Sequence, residues 1–159
     1  MPVDERPAVV AYDGSDAAGA AVRTAAALLA GRPLVVVAVW EPAMAFAVSP
    51  TLDPSGLAYM PPRTEDVATI DRAQRDRAVG LAEAGARLAR ELGATAEPLA
   101  VSDEAAVADT IVAIAEQRDA SVIVIGSRGV GRIKGLFGST SRALLNHCDR
   151  PVLVVRAPH

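Results

Sequence analysis

Short apolar runs alternate with longer stretches of mixed polarity along this chain. The runs are Ala8 to Tyr12, Pro33 to Trp40, Ala96 to Val101, Ser121 to Ile125 and Pro151 to Val155. They are mostly valine-rich and nearly continuous, the pattern of strands buried on both faces of a parallel sheet. Between them, apolar positions recur at helical spacing over Asp16 to Leu29, about Glu65 to Leu92, Glu104 to Gln117, and Ser139 to His147. The order β-α-β-α-β-α-β-α-β predicts an α/β fold: a single doubly wound domain over residues 1–159, with a parallel sheet and helices on both faces.

The helix starts carry suitable residues. Ser15-Asp16, Thr64-Glu65-Asp66 and Ser102-Asp103-Glu104 each offer an oxygen cap followed by acidic groups, which the helix dipole favours. In the second helix Ala78, Leu81, Ala82, Gly85, Leu88, Ala89 and Leu92 form one apolar face, and Gly93 is placed to end it. The connection from Glu41 to Arg63 is irregular and holds Pro42, Pro50, Pro54, Pro61 and Pro62. A loop of that length is either a lid or a disordered segment.

Composition narrows the picture. Hydrophobic residues make up 51% of the 159 positions but aromatics only 3%, so the core must be built from Val, Leu, Ile and Ala. No run approaches the ~20 apolar residues of a membrane span, and the charged start Met1 to Pro7 has no signal-peptide core after it. The expected location is cytoplasmic. A net charge of −3 leaves no electrostatic footprint for nucleic acid. Cys148 is the single cysteine and reads as a buried, inert thiol.

The candidate chemistry lies at the carboxyl ends of the strands, where open α/β sheets bind ligands. Ile125-Gly126-Ser127-Arg128-Gly129 follows the fourth strand, and Gly138-Ser139-Thr140-Ser141 opens the last helix. Gly126 and Gly129 would let the chain turn under a phosphate, and Gly138 would bring the helix start close. The amides and hydroxyls of Ser139, Thr140 and Ser141 would donate to its oxygens. Arg128, Arg132 and Lys134 add positive charge. The plainer reading of the same residues is a solvated basic loop.

Asp13 could hold a ribose hydroxyl, a base amino group or a metal, or it could simply close an Asx turn before the first helix. Trp40 either covers a base or packs against the long loop. His147 sits in a last helical turn, where the dipole favours a partly positive ring. No catalytic constellation emerges: neither His147 nor His159 falls in a carboxyl-end loop. The carboxylates on that edge are limited to Asp13, Glu41 and Asp103. A Walker-type phosphate loop is missing.

These blocks together resemble the universal stress proteins over nearly the whole chain. Val9 to Ser15 is similar to that family's first strand and Asp-Gly-Ser turn, and Val35 to Trp40 to its second strand. Ser121 to Gly129 is similar to its fourth strand and glycine turn. Gly138 to Ser141 with Asp149 to Arg156 is similar to its closing helix and last strand. The resemblance implies five parallel strands in the order 3-2-1-4-5, which makes the first and fourth strands neighbours. It also implies a homodimer formed through the last strand, Val152 to Val155.

In the nucleotide-binding branch of the family, ATP, with or without Mg2+, would be held as follows. Gly126, Ser127 and Gly129 line the phosphate turn, and Gly138, Ser139, Thr140 and Ser141 lie at the phosphates and ribose. Ala11 and Asp13 sit beside the adenosine, and Val39 reads the adenine through its backbone. The chain departs from the family pattern at one point. Eight residues, Val130 to Phe137, separate Gly129 from Gly138 where the pattern has nine. That shortens the reach by up to ~3.5 Å: either a tighter path through Gly131 and Gly135 absorbs it, or the phosphate cradle is compressed and affinity falls.

The expected function is therefore an adenine-nucleotide-binding stress or signalling protein acting as a dimer. The alternatives are a nucleotide-free dimeric scaffold of the same family and a slow ATP hydrolase using Asp13. A phosphate-receiving signalling domain is disfavoured, because Asp13 is followed by Gly14 and Ser15 rather than by a second acid.

Overall fold

The structure, a computed structural model, describes residues 5–43, 63–103, 105–127 and 138–157. Five strands, β1 (Ala8–Ala11), β2 (Leu34–Trp40), β3 (Ala96–Ser102), β4 (Val122–Gly126) and β5 (Val152–Val155), form one sheet. Every pairing is parallel, and the order is β3-β2-β1-β4-β5. The connecting helices are α1 (Asp16–Leu28), α2 (Thr64–Glu91), α3 (Val107–Gln117) and α4 (Ser139–His147).

Alternate residues of the strands divide the core into two halves, one on each face of the sheet. Ala8, Val10, Leu34, Val36 and Val124 pack with Ala21, Val22 and Ala25 of α1 and Ala86 and Ala89 of α2. On the other face Val9, Val35, Val37, Ile123 and Ile125 meet Ile111, Ile114 and Ala115 of α3 and Leu144 of α4. This explains the near-continuous valine of the central strands β1, β2 and β4, which are covered on both faces. The core is aliphatic, with Leu34, Ile111, Ile123 and Leu144 the largest fully buried side chains.

The helix ends separate expectation from outcome. Ser15 caps α1, its hydroxyl accepting from the Ala18 amide at 3.2 Å. Gly93 follows α2 with φ +86°, and the amides of Gly93 and Ala94 return to the carbonyls of Arg90 and Ala89, a Schellman ending. Leu92, expected on the apolar face, is instead 49% exposed at the cap.

Thr64 is not the cap of α2. Arg63 holds that place and makes no side-chain bond to the helix. Nor does α3 begin at Glu104; it begins at Val107, after Ala106. The reason is that the Asp103 carboxylate accepts from the Ala105 amide at 3.0 Å and the Thr110 hydroxyl at 3.1 Å. It stabilises a turn ahead of the helix rather than the first helical turn.

Candidate functional site

The strand order creates a reversal between β1 and β4. From β1 the chain moves outward through β2 to β3, then crosses back to β4 on the opposite side of β1. At such a point the loops leaving two neighbouring strands part company and open a crevice beyond their carboxyl ends.

Register brings the expected residues to one level there. Ala11 pairs with Val37, so Asp13, two residues on, stands level with Val39. Val10 pairs with Val124, and continuing that register brings Gly126 level with Tyr12 and Ser127 level with Asp13. Val39, Asp13 and Ser127 therefore leave three neighbouring strands at the same level of the sheet, where the loops after β1 and β4 diverge. Asp103, after β3, is two strands from Asp13, so ~10 Å separates the two carboxylates' strands. They do not form an acid pair.

On the β1 side, the Asp13 carboxylate accepts from the Ser15 amide at 2.9 Å. This is the Asx turn, and Gly14 completes it with φ +82°, a conformation that favours glycine. A carboxylate has two oxygens, so this bond leaves capacity to accept from a ligand hydroxyl. Ala11, Asp13 and Val39 are half-buried, neither sealed in the core nor fully solvated.

On the β4 side, the two ends of the glycine segment are pinned together. The Ser127 amide donates to the Val155 carbonyl at 2.7 Å, and the Ser127 carbonyl accepts from the Gly138 amide at 2.8 Å. Helix α4 starts directly from this junction. Gly138 is its cap residue, with no side-chain capping bond and no acidic residue in the first turn. The first amides of any helix have no acceptor within it, so those of Ser139 and Thr140 are available to an anion, and the dipole favours one. Ser139 is exposed and Thr140 half-buried. Ser141 is buried, and its hydroxyl is within bonding distance of the Gly138 carbonyl.

Gly126 has a packing reason to be glycine in addition to the phosphate turn that the sequence suggests. It ends β4 in extended pairing with Val155. A Cβ added there would stand 2.7 Å from the carbonyl carbon of Ala17 and 2.9 Å from its oxygen. Helix α1 presses its backbone onto the end of β4, and a glycine is what permits it. That role was missed because the partner lies more than a hundred residues away and leaves no local pattern.

Trp40 packs with Ala38 of its own strand and with Ala78 and Ala82 of α2; the long loop expected against it lies mostly outside the described residues. Cys148 is half-buried rather than buried, donating its amide to the Leu144 carbonyl. Gly129, Arg128, Arg132, Lys134 and His159 lie outside the described residues, as does most of the Glu41 to Arg63 connection. Among the described residues no group of three or more His, Cys, Asp or Glu is placed to hold a metal ion. No described helix is long and apolar enough to cross a membrane.

Comparison with known proteins agrees with this fold. Residues 5–156 match the model of the universal stress protein family. A curated relative from Thermus aquaticus, named as a universal stress protein in the 3′ region of a sulfhydrylase gene, is 34% identical over 151 residues. The match covers 93% of this chain and 96% of that protein. A universal stress protein from Archaeoglobus fulgidus, solved in complex with dAMP, is 28% identical with a TM-score of 0.61, covering 94% and 96% of the two chains. A universal stress protein from Lactobacillus plantarum shares the fold at a TM-score of 0.73 and 20% identity, covering 96% and 98%.

Proposed function

The chain belongs to the universal stress protein family, and from that premise we propose that it binds an adenine nucleotide, ATP among the candidates, and acts as a homodimer in stress response or signalling. The observation that carries the nucleotide reading is the uncapped, acid-free first turn of α4, set across the β1–β4 crevice from the Asp13 turn. The amides of Ser139 and Thr140 would take phosphate oxygens, with Ser127 and Gly138 at the junction beneath them and Gly129 in the segment between. The free lone pairs of Asp13 would take ribose hydroxyls, and Ala11 and Val39 would lie against the base. The relative solved in complex with dAMP supports an adenine nucleotide as the ligand. Any Mg2+ would come with the triphosphate. Protein purified without added nucleotide is expected either to release adenine nucleotide when denatured or, still folded, to bind added ATP or AMP at one per chain. A folded protein that carries no nucleotide and binds neither at millimolar concentration overturns the reading.

The dimer reading rests on a contrast between the two sheet edges. Strand β3 exposes Glu97 and Pro98, a charge and a proline that discourage further pairing. Strand β5 presents only Val152, Leu153, Val154 and Val155, all half-buried. The carbonyls of Pro151 and Val155 accept from β4 amides, so odd-numbered residues turn their backbone groups inward. Strand alternation then turns those of Val152 and Val154 outward, free to pair with a second copy. Val154→Pro removes an outward N–H without breaking the β4–β5 ladder. Light scattering is expected to show a dimer for the native chain and a folded monomer for this variant. A variant that remains dimeric would place the interface elsewhere.

A further inference from the structure

Ser141 is 1% exposed, so its hydroxyl faces protein rather than the crevice. That hydroxyl lies 3.0 Å from the Gly138 carbonyl and 3.4 Å from the Ser127 carbonyl. The Ser127 carbonyl already accepts from the Gly138 amide, and Ser127 is tied through its own amide to β5. One buried hydroxyl thus shares its single proton between the nearer Gly138 carbonyl, at the start of α4, and the more distant Ser127 carbonyl, at the end of β4. The start of α4 is tied to the end of β4 at this junction.

We infer that Ser141 is a positioning residue: without touching the ligand, it aims the amides of Ser139 and Thr140 at the nucleotide's phosphate. This rests on the nucleotide reading above. The geometry also separates positioning from folding. In Ser141→Ala the Ser127 carbonyl keeps its bond from Gly138, and the Gly138 carbonyl keeps its bond from the Arg142 amide at 3.1 Å. No buried carbonyl is orphaned, so the melting midpoint is expected within about 3 °C of the native value. With the Ser141 contact gone, however, the Gly138 amide alone ties the helix start to Ser127, and the first turn can tilt about that one bond. Charge-assisted hydrogen bonds to phosphate weaken quickly off axis.

The test compares AMP with adenosine, which share the base and ribose but differ in the phosphate. Equilibrium titrations are run on the native chain, Ser141→Ala and Ser141→Thr, with thermal melts alongside. The expected result is an AMP affinity about tenfold lower in Ser141→Ala, a loss of about 1.4 kcal/mol, with adenosine affinity unchanged and AMP affinity largely restored in Ser141→Thr. If AMP and adenosine weaken in parallel, or Ser141→Ala binds AMP as the native chain does, the inference is wrong while the nucleotide reading stands. If the native chain binds neither, both fall.

Discussion

Replacing Gly126 with valine is expected to unfold or severely destabilise this protein, whether or not a nucleotide is present. A Cβ at that position meets the Ala17 carbonyl carbon at 2.7 Å, the Ala17 oxygen at 2.9 Å and the Ala17 Cβ at 2.9 Å. Two of these atoms are helix backbone, so no side-chain rotation relieves the clash. Helix α1 cannot simply retreat, because Ala21, Val22 and Ala25 are fully buried against the sheet. Overpacking of this kind costs about 1–3 kcal/mol for small insertions. Valine adds three carbons, so a loss of about 3 kcal/mol or more is expected. A domain stable by about 5–15 kcal/mol would show a urea midpoint clearly lowered, and a melting midpoint down by about 6–12 °C at least. If Gly126→Val instead melted like the native protein while losing ligand affinity, Gly126 would be a ligand-contacting glycine and the packing account would be wrong.

Ser139→Asp should have effects of opposite sign on stability and on binding. Position 139 is exposed, at the first residue of a helix with no acid in its first turn. A carboxylate there interacts favourably with the dipole by about 0.3–1 kcal/mol, so the melting midpoint is expected to hold or rise. The same carboxylate occupies the place proposed for a phosphate and repels it. Loss of the anion's hydrogen bonds together with like-charge repulsion is expected to weaken ATP by at least tenfold, about 1.4 kcal/mol. Calorimetric titration with a parallel melt reads both quantities. Unchanged ATP affinity in a folded Ser139→Asp protein would move the phosphate away from α4.

How much of this was legible in the sequence differs between elements. The strands could be read because a parallel sheet covered on both faces demands valine at successive positions, as in Leu34 to Val39. The Ser15 cap and the Gly93 ending are local and were equally readable. Strand order is not local; it came from the resemblance, and the pairings of β1 with both β2 and β4 bear it out.

The start of α3 was misread for a physical reason. Ser102-Asp103-Glu104 has the composition of a helix start, but the Asp103 carboxylate serves Ala105 and Thr110 instead. Gly126 and Trp40 show the same limit. Each is explained by a partner distant in sequence, Ala17 for the glycine and Ala78 and Ala82 for the ring. At the site, Asp13 could be assigned to its turn and Ser139 and Thr140 to a helix start. The inward orientation of Ser141 depends on the junction with Ser127, which no residue pattern reveals.

The central claim is that main-chain amides of α4 hold phosphate opposite the Asp13 turn. An amide-resolved NMR titration of the native chain with AMP tests it most directly. The expected outcome is saturable shifts concentrated at the amides of Ser139, Thr140, Gly14 and Val39, with the Ser139 and Thr140 shifts absent when adenosine replaces AMP. Shifts clustered elsewhere, or none up to millimolar AMP, would contradict it.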